Sequence, residues 1–310
     1  MNILNDAQVS NLLDYEGTED ALVSAFGDLG RSQAQAMVRS RVDCGPVKLS
    51  AMGAIWLRHQ IAAVKCYPTI EGRFAFALNL FDLHRNELVA VLPGTEITRF
   101  RTAAMARLAA RAACQGVPEI ACIFGFGTIG RSIGAALDGA LPMQELHIVD
   151  PAVDAQLLAS MQPAFKCRLK IASVDSVERS GLVITATRSK TPVFNGKRLA
   201  PGTTVIAMGT SLPNGSELDE TTLCRAARVV VEWKPQSISE AGEVVLGLKC
   251  GALSPDRLVD LPELLTGRAN WRESSSDIVV FKSVGIGLAD LAAAWLACAR
   301  HKAAARRETV

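Results

Sequence analysis

Residues 120 to 130, Ile120-Ala-Cys-Ile-Phe-Gly-Phe-Gly-Thr-Ile-Gly130, constrain this chain more than any other stretch of it. A short apolar strand runs directly into a G-x-G-x-x-G turn at Gly125, Gly127 and Gly130. In such a unit the first glycine permits the tight turn, the second lets backbone approach a pyrophosphate, and the third lets the following helix pack on its strand. The next segment, Arg131 to Gly139, is predicted to be that helix, with free N–H groups and the positive end of the macrodipole turned toward phosphate. Thr128 and Ile129 would offer backbone N–H groups there. A second apolar strand, Glu145 to Asp150, ends in a carboxylate, where a dinucleotide-binding unit places the acid that bonds the adenosine ribose hydroxyls. Strand, glycines, helix, strand and acid in this order point to a nicotinamide or flavin dinucleotide. Asp150 favours NAD over NADP, because a carboxylate repels a ribose 2′-phosphate; its plainer reading is a solvated strand end.

A chain of 310 residues has room for about two domains. Its 49% hydrophobic and 21% charged residues lie near a globular average, which argues against extended disorder. A net charge of +2 gives no reason to expect nucleic acid or a membrane surface as partner. The basic stretch beginning at Arg300 reads as a cation-rich helix C-terminus. The first residues lack the charged and apolar regions of a signal peptide, and no apolar run is long enough to span a bilayer, so a cytoplasmic location is expected. The eight cysteines are scattered without a C-x-x-C pair; most sit in apolar segments and read as small buried hydrophobes, so a disulfide framework or zinc site is not expected. His59, His84, His147 and His301 have no metal-like spacing and read as structural or surface residues, so no metal is expected.

Ahead of the glycine-rich unit, a capped amphipathic turn starting at Asn5 and a helix near Thr18 to Ala34 are followed by strand-like stretches at 38–42, 47–56, 61–67, 74–82 and 88–92. Their short loops, with no helix between them, predict an antiparallel sheet. An alanine-, arginine- and leucine-rich helix over 98–114 leads into the dinucleotide unit. Beyond Asp150 strands and helices alternate, and a final helix from Gly287 to Arg300 is apolar on most faces and suited to pack back on the first lobe. The fold class is therefore α/β: a Rossmann-type dinucleotide-binding domain over 117–286, inserted in a discontinuous α+β lobe formed by 1–116 plus 287–310. Lys65 lies in an otherwise apolar strand, where an ammonium needs a partner or a task.

Several motifs in order resemble the ornithine cyclodeaminase and mu-crystallin family: Val64-Lys65-Cys-Tyr-Pro, Thr98-Arg-Phe-Arg101-Thr-Ala-Ala104, the glycine turn, Ile206-Ala-Met-Gly209 with Glu217-Leu218 beyond, Glu240-Ala-Gly-Glu243, and Phe281-Lys-Ser-Val-Gly285 with Leu288-Ala-Asp290. The resemblance covers nearly the whole chain. It implies a substrate and dimerisation lobe joined to a Rossmann-type NAD(P) domain, a homodimer, and a small amino- or imino-acid substrate. Arg41, Lys65 and Arg101 then look like the cations that hold the substrate carboxylate and its polar neighbours, by bidentate guanidinium bonds and a lysine that can also donate a proton. Arg39 competes with Arg41, since alternation along a strand puts both on one face; the spacing to Lys65 favours Arg41. Ser283, Val284 and Gly285 would line the nicotinamide end.

The chain departs from the cyclodeaminases after Gly209. Where those enzymes carry a catalytic aspartate, the alignment places Ser211, a poor general base at neutral pH. Its loss suits a reductase, in which hydride passes directly from cofactor to a C=N bond and the protein supplies carboxylate anchors, a proton donor and a dry pocket. The expected activity is NAD(P)H-dependent reduction of an imine of a 2-oxo acid, cyclic or open-chain, reversible as an amino-acid dehydrogenase, with NADH favoured over NADPH. An ornithine cyclodeaminase-like lyase and a non-catalytic small-ligand binder are the alternatives. Steady NADH oxidation with an imine separates the first from the reductase, and the retained cation set argues against the second.

Overall fold

Strands covered on both faces must be apolar at nearly every position, whereas strands with one face in solvent alternate. Both patterns occur in this chain. In the computed structural model, which describes residues 1 to 308, they belong to two units: Met1–Ala104 with the chain from Gly285 onward, and Met105–Val284. The division falls inside the helix Gly94–Ala113.

The second unit holds an eight-stranded sheet in the spatial order Arg168–Ile171, Glu145–Val149, Ile120–Phe124, Leu182–Thr185, Thr204–Ala207, Ile278–Lys282, Ala226–Val231, Leu258–Asp260. Every neighbouring pair is parallel. All residues of Leu182–Thr185, Thr204–Ala207 and Ile278–Lys282 are buried, as a sheet covered on both faces requires. The chain goes from Ile120–Phe124 to Glu145–Val149 on one side, and the later Leu182–Thr185 pairs on the other. That reversal is the topological switch point, and open α/β sheets bind ligands outside the carboxyl ends of the strands that flank it. This is the Rossmann-type arrangement.

The first unit is built on a sheet ordered Asn2–Ile3, Glu87–Pro93, Ala77–Asp82, Ile61–Ile70, Val47–Trp56, Ala34–Ala36, with Ser40–Cys44 also on Val47–Trp56 and Arg73–Phe74 on Ile61–Ile70. It is antiparallel except for the parallel pairing of Asn2–Ile3 with Glu87–Pro93. On its inner face Ser50, Met52, Ala54 and Trp56 stand opposite Tyr67, Lys65, Ala63 and Ile61, all buried. The helix Gly287–Glu308 packs on these two strands and on the helix Tyr15–Gly30. Its start presses so closely that a Cβ on Gly287 would lie 2.5 Å from the Gly53 carbonyl oxygen. The outer face carries Val42, Leu49, Ile55 and Val64 in exposed positions.

Element ends differ from expectation where caps decide them. The first long helix is Tyr15–Gly30, because the Asp14 carboxylate accepts the Gly17 N–H at 2.7 Å and the chain leaves the helix to enter Ala34–Ala36. The last helix continues past Arg300, whose Nη1 donates to the Leu12 carbonyl at 2.9 Å and pairs with Asp14. Among the described residues, no helix is long and apolar enough to cross a membrane, and no group of three or more histidine, cysteine or acidic residues is placed to hold a metal ion.

Candidate active site

The glycine turn has the shape a dinucleotide needs. Gly125 has φ of +84°, a left-handed conformation, and a Cβ there would stand 2.7 Å from the Ala186 carbonyl oxygen. A Cβ on Gly130 would stand 2.1 Å from the Gly125 oxygen, so the helix can lie on its strand only if this residue is glycine. Gly127 caps the helix Thr128–Asp138 and has open space where a Cβ would be, which is room for an anion at the helix N-terminus. Thr128 and Ile129 are the first residues of that helix, and first-turn N–H groups have no partner within the helix. Asp150 follows the strand Glu145–Val149 and is half-buried. Its Oδ2 accepts the Phe126 N–H at 2.6 Å and its Oδ1 the Ala152 N–H at 2.9 Å, so it pins the glycine turn as well as standing at its rim. A carboxylate oxygen accepts more than one hydrogen bond, which leaves capacity for ribose hydroxyls. These residues fit an NAD-type dinucleotide.

At the carboxyl ends of the neighbouring strands, buried carboxylates replace the water that would otherwise satisfy loop backbone. Glu217 Oε2 accepts from Thr185 Oγ1 at 2.9 Å and the Gly209 N–H at 2.8 Å, and Oε1 from the Thr187 N–H at 2.8 Å and hydroxyl at 2.6 Å. Glu243 accepts the Glu217 N–H at 3.0 Å and pairs with the fully buried Lys282 at 2.8 Å, which also donates to the Thr210 carbonyl at 2.7 Å. The motif residues Glu217, Glu243 and Lys282 therefore hold the loop after Gly209 in place, and half-buried Ser211 lies in that loop. Ser283 continues the strand Ile278–Lys282, its N–H donating to the Ala207 carbonyl at 3.0 Å, and the Val284 N–H donates to Glu232 at 3.0 Å.

The cation cluster lies in the first unit, on the inner face of its sheet. Lys65 is 2% exposed; its Nζ donates to Thr98 Oγ1 at 2.5 Å and to Asp290 Oδ1 at 3.0 Å, and stands 4.2 Å from the centroid of the Phe76 ring. Arg101 donates from Nε to the same Asp290 oxygen at 3.2 Å. Its guanidinium lies so close to Gly285, where φ is +72°, that a Cβ there would approach within 2.7 Å of both Nη atoms. Arg39 Nη2 donates to the Gly285 carbonyl at 2.6 Å, and its Nε to Met52 Sδ at 3.4 Å. Burial is the main reason the Lys65 ammonium titrates low, at about 8; Asp290 opposes that shift, while Arg101 and Arg39 add to it. Asp290 is 0% exposed, and although burial alone would raise its carboxyl, Lys65 and Arg101 hold it below the ordinary value. Its Oδ2 and the Ser50 hydroxyl are buried without a hydrogen-bond partner.

Of the two arginines near the strand Ser40–Cys44, the structure brings Arg39 to the Lys65 group; it precedes the strand, and its Nε reaches Met52 on the inner face. Arg41 is half-buried and pairs in register with Ser50, on the inner face. Asp290 and Thr98 received no individual role from the sequence. The signal was present for Asp290: an acid in an otherwise apolar helix needs a partner for the same reason that Lys65 does.

Comparison with known proteins accords with this geometry. The chain is 26% identical over 220 residues to the Delta(1)-pyrroline-2-carboxylate reductase of Bacillus cereus, a match spanning 68% of this chain and 66% of that one. Among solved structures, it superposes on a probable ornithine cyclodeaminase from Bordetella pertussis Tohama I with a TM-score of 0.95 and 36% identity, over 98% of this chain and 97% of the other. The Thermococcus litoralis Delta(1)-pyrroline-2-carboxylate reductase, solved with NADH and L-proline, shares the fold with a TM-score of 0.90 at 23% identity over 97% of each chain. The profile of the ornithine cyclodeaminase/mu-crystallin family matches residues 3–304, and with the glycine cradle and the buried cation cluster in place, the chain belongs to that family.

Proposed function

We propose that this protein is an NAD(H)-dependent oxidoreductase that reduces the imine of a 2-oxo acid and runs in reverse as an amino-acid dehydrogenase. The observation that carries this reading is Lys65: an ammonium 2% exposed, aimed by Thr98 and Asp290, with Arg101 and Arg39 beside it and its titration lowered by burial to about 8. One carboxylate there serves two cations, so the cluster suits a substrate that brings its own carboxylate. Arg101, with Arg39 or Arg41, is assigned to that carboxylate, and Lys65 to the imine nitrogen. NADH, when bound, supplies the hydride. Gly125, Gly127, Gly130 and the N–H groups of Thr128 and Ile129 are assigned to the pyrophosphate, Asp150 to the ribose, and Ser283, Val284 and Gly285 to the nicotinamide end. The carboxylate of Asp150 supports NADH over NADPH.

Ser211 in the loop after Gly209 supports reduction over deamination, since that loop offers no carboxylate between Gly209 and Ser216. The exposed apolar residues Val42, Leu49, Ile55 and Val64 on one sheet face support a homodimer in which a second copy covers them. A related fold has been solved as an alanine dehydrogenase dimer, at 22% identity. The test is spectrophotometric: preformed cyclic imines, and 2-oxo acids with ammonia or methylamine, against NADH and NADPH. Imine-dependent NADH oxidation is the expected result. Ammonium release from ornithine without net NADH consumption would replace this reading with a cyclodeaminase.

A further inference from the structure

The hydrogen bonds around Lys65 fix more than its position. The Thr98 hydroxyl donates to the Gly94 carbonyl at 2.5 Å, so its hydrogen is committed and its lone pair faces Lys65 Nζ. Asp290, one turn into its helix, can only accept. An ammonium has three hydrogens. Two are therefore held by fixed oxygen acceptors, and the third, which has no such acceptor among the described residues and only the face of the Phe76 ring 4.2 Å away, is the one a bound molecule can take. When that proton leaves, the amine keeps its two bonds to Thr98 and Asp290, and its lone pair occupies the vacated direction. Gly94 makes this packing feasible, because a Cβ there would stand 2.5 Å from Phe76 Cβ and 3.4 Å from Lys65 Cε.

We propose that Thr98 and Asp290 are positioning residues that aim the transferable proton of Lys65, so that one side chain serves as acid in imine reduction and as base in amine oxidation. The proposal rests on the reading of the chain as an imine reductase. In reduction a Lys65 N–H bond breaks and an N–H bond forms on the imine nitrogen; the imine carbon receives hydride with its electron pair from NADH, which leaves as NAD⁺. Lys65 then regains a proton from solvent. In oxidation every transfer reverses, and the amine form of Lys65 takes the proton in the same direction from which it was given.

The charged and titratable groups around Nζ come from every element packed on it: Asp290 from the C-terminal helix, Arg101 from the helix Gly94–Ala113, Arg39 from the segment before Ser40–Cys44, and Tyr67 from its own strand. Removing one of the two acceptors changes charge, and removing the other does not, which makes the two separable. Asp290→Asn should move the alkaline limb of reductive kcat/KM about one pH unit lower, since an adjacent opposite charge shifts a titration by roughly that much or more. Thr98→Val should leave the limb in place but lower kcat roughly tenfold or more, with the KM for the imine little changed, and Thr98→Ser should restore it. The second readout needs no turnover: the Nζ resonance of Lys65 in ¹⁵N-lysine-labelled full-length protein, identified by its loss in Lys65→Arg, should titrate lower in Asp290→Asn.

An unmoved Lys65 titration in folded Asp290→Asn overturns the proposal, as does a kcat for Thr98→Val that is unchanged or not restored by Thr98→Ser. If Asp290→Asn does not fold, the Thr98 pair decides. If the wild-type protein reduces no imine, the functional reading fails by itself, and the resonance still decides whether Asp290 governs Lys65.

Discussion

Replacing Asp150 should erode a preference for NADH over NADPH, and the structure gives the size of the effect. Two unit charges about 4 Å apart repel by ~1 kcal/mol in water and ~4 kcal/mol at an effective dielectric constant near 20. Asp150 is half-buried, between those limits, so a ribose 2′-phosphate beside it is disfavoured by about 2 kcal/mol, or roughly 30-fold in kcat/KM. Asp150→Ser removes the charge but leaves one acceptor for two donors, the Phe126 N–H at 2.6 Å and the Ala152 N–H at 2.9 Å. Leaving one of these unpaired loosens the glycine turn by about 1 to 3 kcal/mol if it is buried, which would weaken both cofactors together. Asp150→Asn can keep its amide oxygen on the part-buried Phe126 N–H and leave the exposed Ala152 N–H to water, so it comes nearer to removing the charge alone. The assay is kcat/KM for NADH and NADPH with one imine, at about 0.01 M and about 0.3 M salt. In the wild type the ratio should fall as salt screens the repulsion; in both variants it should be smaller and nearly independent of salt. A wild-type preference for NADPH, or a ratio unchanged in both folded variants, would refute the reasoning about Asp150 and leave the cradle standing.

Arg101→Ala should chiefly raise the KM for the imine, roughly 10- to 100-fold for a lost charge-assisted contact of ~1.5 to 3 kcal/mol, whereas Lys65→Met should chiefly depress kcat; steady-state kinetics with the same imine separate the two. Because burial brings Lys65 down to about 8, reductive activity, which needs the ammonium, should be full below that pH and decline through it, and oxidative activity should rise through it; a reductive profile flat to pH 10 would be inconsistent with Lys65 as proton donor. Asp28→Ala strands the Trp56 indole N–H, which donates to the carboxylate at 2.8 Å, and two Arg58 bonds at 2.5 and 2.6 Å; with Arg58 54% exposed, the loss should be about 2 kcal/mol by denaturant titration. Arg58 holds the Asp28 carboxyl below its ordinary value, so this contribution should be complete above pH 3.8 and disappear as pH falls through the lower folded value. Leu49→Glu with Val64→Glu should give a monomer in sedimentation velocity, and an unchanged species would place the dimer contact elsewhere.

Where local chemistry decides structure, the sequence was legible. Gly125, Gly127 and Gly130 after an apolar strand could hardly be placed otherwise, and the all-buried strands Leu182–Thr185 and Thr204–Ala207 announced a sheet covered on both faces. Lys65 stood out because an ammonium in an apolar strand must be answered by something. What answered it could not be read along the chain: Asp290 lies 225 residues away and Thr98 33, and contact between them is a product of packing rather than of spacing. Strand alternation could not choose between Arg39 and Arg41, because it puts both on one face; the spacing to Lys65 favoured Arg41, whereas packing brings Arg39 to the ammonium. Short elements such as Ala34–Ala36 and Leu258–Asp260 were missed because three residues carry no periodicity; their neighbours in the sheet define them.

The carboxylate of Glu217 has a consequence for how such a chain can diversify. It gathers donors from Thr185 and Thr187 on one side and Gly209 and Thr210 on the other, and its own N–H is held by Glu243. The loop from Ser211 to Ser216 is thus closed at its base, like a ring on a fixed setting, while Leu212, Pro213 and Asn214 at its crest are exposed. Exchanging crest residues, or lengthening the crest, asks nothing of the parallel strands beneath. Mutations that install or remove a reactive group there meet little resistance from the stability of the sheet, so descendants of one ancestral chain could trade one reaction for another while the scaffold stayed under unchanged selection.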